Sequence, residues 1–497
     1  MKNESTRLTS IGPVKQGSGN PFSGTADGGI TPRSGMPAFR DCPGACLKRM
    51  SHKNTLLRLF VSISAAGMIL FHFHPSAYAQ EDQPLSLKQC ITIALRQQPS
   101  LRASAALTQV NRSVLTQARS AWYPWISAQG GYTRETNNYV FPPAFSHIFP
   151  SGAMPAESNT SYDYYTASVG FNWLLTNFGQ RLFAIRAQQE AVKASRYDEQ
   201  TTKSDVIFNV TQGYYGVLAA QHLSDVADKV LEESSKQLEQ AQGFFGVGRV
   251  SRIDVATAET NYANAQVNMI AAKNNVQLAM VNLLNTMGVK DTDTVDIMDT
   301  ITPTTQEIDM TDAVRKALDN RSELKSLYAA DYGLRESERS VLASNLPSII
   351  GTGGYNWAGY HTPMTWNWAI GVGVQFPIFS GFNTYGQYGA LKARQHNIEA
   401  QIDVLKQGIT LQIQQASLNL QEAKDSITAS KKAMDSAQLN LELAEERYTT
   451  GAGSIIELTG AEALFASTSA AYIQTIYQYN IALAQFERAE GILTQEY

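Results

Sequence analysis

The sequence predicts a mixed α and β membrane protein. Each chain supplies a four-stranded share of a trimeric twelve-stranded β-barrel plus a long α-helical barrel, built from an internal duplication. Three observations carry this: the chain repeats itself, each copy holds two short stretches of period two, and the stretches between them have uninterrupted helical character. Ala94, Leu95, Pro99, Leu101, Pro124, Gly130, Gly131 and Tyr132 recur 223 residues later, by identity or looser analogue, as Ala317, Leu318, Ser322, Leu324, Pro347, Gly353, Gly354 and Tyr355. Phe245, Gly248, Ser251, Asp254 and Gly288 recur 203 residues later as Tyr448, Gly451, Ser454, Glu457 and Gly491. A repeat of this length is an architecture, not a motif. The change of spacing predicts about twenty extra residues in the first copy, and the stretch from Asn137 to Asp163 is the expected place.

From the amino end, residues 1–49 are rich in Gly, Pro and Ser without a sustained apolar period, as in a disordered extension or a start assigned too far upstream. Residues 50–79 read as a secretory signal: Met50, then Lys53 and Arg58, an apolar run from Leu59 to Phe71, and a small-x-small cleavage site at Ala77-Tyr78-Ala79. The first repeat is then residues 80–288, an inter-repeat linker 289–309, and the second repeat 310–497. Removing residues 1–79 takes away nine of the 40 Lys/Arg and three of the 44 Asp/Glu, leaving 31 basic against 41 acidic, a net charge of −10. That surplus argues against a nucleic-acid partner. Of three cysteines only Cys90 remains, so no internal disulfide framework is expected.

In the first copy Tyr165, Ala167, Val169, Phe171 and Trp173 alternate with Thr166, Ser168, Gly170 and Asn172. In the second, Trp366, Trp368, Ile370, Val372, Val374 and Phe376 alternate with Asn367, Ala369, Gly371, Gly373 and Gln375. Weaker alternations precede them at Ile126–Tyr132 and Ile349–Trp357, which makes four strands. One face is apolar with aromatic residues toward its ends and the other small and polar, the pattern of a barrel between lipid and water.

Helical stretches run from Arg181 to Gln242 and from Ala390 to Thr450, and sixty residues of helix extend roughly 90 Å. In the second, Ile398, Ile402, Leu405, Ile409, Ile413, Ala416 and Leu420 form a narrow stripe suited to coiled-coil-like packing. Returning helices are expected at Ser251–Met287 and Ser454–Ile492, lengthened by end-to-end stacking on helices at Leu87–Trp122 and Met310–Ala343. At the hairpin tips, Gly248 and Gly451 suit the left-handed residue that ends a helix, Ser251 and Ser454 the N-cap of the next, and Asp254 and Glu457 the third position of a capping box.

Four strands cannot close a barrel, and an open sheet in hydrocarbon leaves backbone groups unpaired at several kcal/mol each. Two chains would give eight strands with a filled interior; three give twelve and a lumen, so a homotrimer in a lipid bilayer is the expected assembly.

Taken in order and doubled, these residues resemble the TolC-like outer-membrane efflux proteins over nearly all of residues 85–492. The carriers are Ala-Leu-x-x-x-Pro-x-Leu at Ala94 to Leu101, Pro124 and Pro347 before the strands, the turn Phe376-Pro377-Ile378-Phe379-Ser380-Gly381, and the two hairpin-tip sequences. The resemblance implies a homotrimer whose barrel lies in the cell outer membrane and whose helical tunnel extends into the periplasm. It implies a passive exit duct for efflux or type I secretion, docking a periplasmic adaptor protein and through it an inner-membrane pump. By the same resemblance Gly248, Ser251, Gly451 and Ser454 receive the adaptor, and Asp254, Tyr448 and Glu457 form a periplasmic entrance gate in which Tyr448 bonds Asp254. A second family contact uses an arginine and a threonine where this chain has Gly453 and Ile253, and a second entrance acid falls at Gly460.

No catalytic constellation emerges. His147, His222, His361 and His396 are not at metal-ligand spacing from one another and read as solvated surface, no phosphate-loop pattern occurs, and neither enzyme activity nor a cofactor or metal is expected. Two other readings compete: a general diffusion porin without a pump, which would be strand-dominated, and a periplasmic coiled-coil scaffold that never enters a membrane.

Overall fold

A computed structural model describes residues 84–136, 161–289, 295–299 and 309–494. The expected extension and signal segment and His147 lie outside these residues. In chain order the elements are α1 (Leu87–Gln97), α2 (Pro99–Ser120), β1 (Trp125–Thr136), β2 (Ser161–Thr176), α3 (Gln180–Gly246), α4 (Arg252–Met287), α5 (Met310–Asn320), α6 (Ser322–Ala343), β3 (Ser348–Gly359), β4 (Thr365–Gln375), α7 (Asn383–Thr450) and α8 (Ile455–Glu490). The second half repeats the first element by element. β1 and β2 are separated by residues 137–160 and β3 and β4 by residues 360–364, 24 residues against five, which accounts for nearly all of the change in repeat spacing.

Helices α3 and α7, at 67 and 68 residues, are each about 100 Å long. Nothing in their sequences stops them, and their apolar stripes hold them to neighbours. Ile402, Ile409, Ile413, Ala416 and Leu420 are buried, while Ile398 and Leu405 pack at the margin of the same cluster. Corresponding residues build both cores: Ala94, Leu101, Val206, Val210 and Leu283 in the first, and Ala317, Leu324, Ile409, Ile413 and Phe486 in the second. The first core also takes in Tyr477 and Leu493 from the second repeat.

The helices expected over Leu87–Trp122 and Met310–Ala343 are each broken in two. Gln98 and Arg321 lie in extended backbone, at ψ 122° and 123°. Pro99 accounts for the first break, because a residue before proline is pushed out of the helical region. Ser322 imposes no such restriction, so the second break has a tertiary cause. Gly491, the left-handed C-cap of α8 (φ +76°), lies directly on that junction, and a Cβ there would come within 3.1 Å of the Arg321 amide nitrogen. Gly288, the C-cap of α4 (φ +74°), makes the equivalent contact, with a Cβ reaching 2.8 Å from the Gln98 Cα. The Gln98 Nε2 also donates to the Thr286 carbonyl at 2.8 Å. Each break thus opens a seat for the end of a returning helix, which is the expected end-to-end stack.

Both turns from strand into long helix use two consecutive left-handed residues, Phe178-Gly179 in the first copy and Gly381-Phe382 in the second, with the residue types exchanged. In the first, buried Arg181 lies over the Trp122 ring at 3.5 Å and donates to the carbonyls of Ala121, Leu174 and Leu175, joining the end of α2 to the end of β2. Thr384 takes the equivalent place in the second and donates to Asn345 Oδ1 at 3.0 Å. The described part of the inter-repeat linker pairs with the start of the chain: Leu85 donates to Asp296 O and Met298 donates to Leu85 O. The Tyr214 hydroxyl donates to the Met298 carbonyl and lies 3.3 Å from that of Leu85.

Replacing Gly288 or Gly491 by alanine combines a left-handed backbone with a collision against main chain, and each should cost about 1–3 kcal/mol. Gly216, which has open space around it inside α3, is the matched control. There alanine should be neutral or stabilise by about 0.5–1 kcal/mol. Thermal unfolding of the three variants measures the contrast, and equal midpoints would contradict the packing described.

Candidate functional site

Two regions stand apart from ordinary core packing: the sheet and the paired hairpin tips at the far end of the long helices. The strands lie in the order β1-β2-β3-β4, all neighbours antiparallel. Residues opposite one another in such a ladder share a face. One face carries Ile126, Phe171, Gly353 and Ile370 in register, then Ala128, Val169, Tyr355 and Trp368, then Gly130, Ala167, Trp357 and Trp366. The opposite face carries Gln129, Ser168, Asn356 and Asn367, flanked by the row Ser127, Gly170, Gly354 and Ala369 and the row Gly131, Thr166, Ala358 and Thr365. The period-two alternation seen in each strand is therefore aligned across all four.

The apolar face is not covered by protein. Trp368, Ile370, Val372 and Val374 are 64–73% exposed. On this face aromatic residues lie toward both ends, Trp173 near one and Tyr132, Tyr165, Trp357 and Trp366 near the other, the placement of the two girdles of a membrane barrel. Gly353 lets the Phe171 ring lie across its neighbour, since a Cβ there would fall 2.4 Å from the ring. The outer edges of β1 and β4 have no strand partner among the described residues. No helix is long and apolar enough to cross a membrane among those residues.

At the tips, Gly248 (φ +76°) and Gly451 (φ +82°) are left-handed and Ser251 and Ser454 are N-caps, as expected. At the first tip the Asp254 carboxylate accepts from both the amide and the hydroxyl of Ser251 at 2.8 Å. The second tip differs from expectation. Ser454 Oγ accepts from the Glu457 amide at 3.3 Å, but the Glu457 carboxylate does not return to the cap; it pairs with Arg447 Nε at 3.0 Å. A salt bridge to a cation one turn before the tip outcompetes a neutral amide for that carboxylate.

The tips touch each other. Arg249 of the first lies over the Phe244 ring at 4.7 Å and brings its guanidinium against Gly451 of the second, where a Cβ would meet it at 2.7 Å. Below this contact Tyr448 is buried with Ala444, Ile455, Leu458 and Ala461, beside Phe244. Among the described residues its hydroxyl has no hydrogen-bond partner, and the Asp254 carboxylate is engaged by Ser251 instead. Burial, with the Asp254 charge adding to it, raises the Tyr448 phenol above its usual range, so it stays a neutral donor.

Sequence reasoning missed the apolar crown around these caps: Val247, Ile253 and Ile456 are 74–78% exposed. Its trace was present, because a β-branched residue in a solvated turn next to a cap has no core to serve. Two histidines also depart from a purely solvated reading. His222 meets Asp299 at 2.8 Å and stacks on Tyr477, fastening the linker, and His396 lies 3.1 Å from Glu399. Cys90 is fully buried in the first core, and burial pushes its thiol up to about 11.

A girdled four-stranded sheet with open edges, carried on helices of about 100 Å, defines an outer-membrane protein of the channel type. The chain belongs to the outer membrane efflux protein family, whose model matches residues 90–289 and 313–491. Among curated relatives it is 23% identical over 450 residues to the outer membrane protein TolC of Escherichia coli, covering 86% of each chain. It is 22% identical over 421 residues to the outer membrane efflux protein BepC of Brucella suis, covering 80% of this chain and 88% of that one. The fold matches the Campylobacter jejuni CmeC outer membrane channel at a TM-score of 0.71 and 17% identity over 82% of this chain and 86% of that one. It matches the outer membrane protein VceC of Vibrio cholerae at 0.68 and 16% over 82% and 96%.

Loss of either cap should loosen the first turn of its helix by about 1 kcal/mol. Ser251→Ala should cost more than Ser454→Ala, because it also strips the hydroxyl donor from the Asp254 carboxylate, whereas the Glu457 carboxylate does not depend on Ser454. Amide hydrogen exchange in the first turns of α4 and α8 reads each effect, and the reverse order would contradict the difference between the tips.

Proposed function

We propose that three copies of this chain close a twelve-stranded barrel in the outer membrane, each β4 edge pairing with the β1 edge of the next copy. The α-helical tunnel beneath it is then a passive exit duct. The observation that carries this is the aligned lipid face bounded by two unpaired edges. A soluble sheet would have to cover both the face and the edges, and a porin would not place most of its length in helices.

The tips are the docking end. Gly248, Ser251, Gly451 and Ser454 shape two turns that present Val247, Ile253 and Ile456, an apolar crown suited to the hairpins of a periplasmic adaptor serving an inner-membrane pump, which supplies the energy. Tyr448, Asp254 and Glu457 form the entrance. Tyr448, a buried donor without a partner among the described residues, contributes to the closed state by reaching an acceptor when the hairpins pack around the threefold axis, Asp254, whose charge already acts on it, being an acid of suitable chemistry. Glu457, neutralised by Arg447, acts less as a bare negative ring than three free carboxylates would.

Reconstitution of the purified protein in a planar bilayer tests the duct: a trimer with a small resting conductance is expected, and a monomer without a bore would refute it. In the same membrane Tyr448→Phe should leave the trimer folded and raise the conductance of the closed channel. An unchanged single-channel conductance would remove Tyr448 from the gate. Ile253→Glu together with Ile456→Glu should abolish pump-dependent export in cells while the isolated channel conducts as before; undiminished export would place docking elsewhere.

A further inference from the structure

Between the long helices, above the tips, lies a cavity of about 350 Å³ that the duct reading does not use. It is lined from α3 by Val226, Val230 and Glu233, from α7 by Met434 and Leu441, and from α8 by Phe465, Ile473, Glu462 and Ser469. A space of this size with apolar walls and a few convergent polar groups has the form of a small-molecule site.

Two of its polar groups are left unpaired among the described residues. Ser469 is 95% buried, being 5% exposed, and its hydroxyl has no hydrogen-bond partner. Glu462 Oε1 is likewise buried without a partner. The surrounding charges are acidic. Glu233 on α3 and Glu445 on α7 act on Glu462, and Glu442 on α7 acts on Glu445. Lys236 is already held by Glu232 and Glu233 at 2.8 and 2.9 Å, and Lys229 also lines the cavity but gives Glu462 Oε1 no hydrogen bond. Burial, then the charges of Glu445 and Glu233, pushes the Glu462 carboxyl up to about 7. Burial and like charge therefore penalise the carboxylate form. The stability linked to this group is full below the ordinary value of 4.5 and is lost as pH rises through about 7.

We propose that this cavity binds a small lipophilic ammonium ion, its hydrocarbon body against Val226, Met434, Phe465 and Ile473 and its N–H donors on Glu462 and the Ser469 hydroxyl. A neutral apolar guest would leave the carboxylate uncompensated, and an anion would add to the repulsion among Glu462, Glu233 and Glu445. The ammonium ion supplies both the donors and the charge that the site lacks. The proposal does not depend on the duct reading.

The test is calorimetric titration of the purified full-length protein in lipid nanodiscs with n-pentylammonium and, as the uncharged control, n-pentanol. At pH 8 one saturable site per chain is expected for the amine, at least tenfold tighter than for the alcohol. Affinity should fall about tenfold at pH 5.5, as Glu462 takes up its proton. Glu462→Gln should reduce the amine to the level of the alcohol and remove the pH dependence. Ser469→Leu, which fills the cavity and leaves the carboxyl in place, should abolish binding of both. Absence of a saturable site in the folded protein would overturn the proposal, as would an affinity unchanged in Glu462→Gln or uptake of many amines per chain that persists in both variants.

Discussion

The rest of this structure depends on the rule that a peptide group inside hydrocarbon must find its hydrogen bond within protein. Four antiparallel strands satisfy their inner ladders and leave two rows of donors and acceptors at the edges of β1 and β4. The cost of leaving such rows open in lipid exceeds what any local packing in the sheet can return. The aligned apolar face, the two aromatic girdles and the small polar residues opposite them are the side-chain counterpart of that backbone demand. The long helices answer the same demand differently, since a helix pairs its own main chain and is free to leave the membrane.

Where helices must join, the fold uses backbone proximity instead of large side chains. Gly288 and Gly491 bring the ends of α4 and α8 onto the junctions at Gln98 and Arg321 closely enough to exclude a methyl group. Arg249 rests on Gly451 in the same manner at the tips. These contacts place rigid rods end to end and side by side with little slack.

The architecture was largely legible in the sequence because it is written in period and repetition. Alternation in β2 and β4, the stripe from Ile398 to Leu420 and the doubled Gly-x-x-Ser turns each correspond to a single physical requirement. The breaks at Gln98 and Arg321 were less legible. Pro99 signals the first, but no residue signals the second, which depends on Gly491 some 170 residues away. At the tips the caps followed from residue type, whereas the partner of Glu457 did not. A capping box and a salt bridge compete for one carboxylate, and Arg447 wins only because the helix turn brings it within 3.0 Å. The lone hydroxyl of Tyr448 and the crown of Val247, Ile253 and Ile456 were invisible for a similar reason: exposure and satisfaction are properties of an assembled hairpin.

The two cores are not independent. Tyr477 and Leu493, from the last helix and its exit, complete the cluster that Cys90, Ile91, Val206 and Tyr214 begin, and Arg488 of α8 holds Asp205 of α3 at 2.6 Å. A chain of half the length would have to obtain these contacts from a second polypeptide. Carrying both halves on one chain replaces that encounter by a tether, so the local concentration of the completing helix does not depend on how much protein the cell makes. It also released the halves from being identical, and the 24-residue connection in one against five in the other, like Arg181 against Thr384, is what that freedom has since produced.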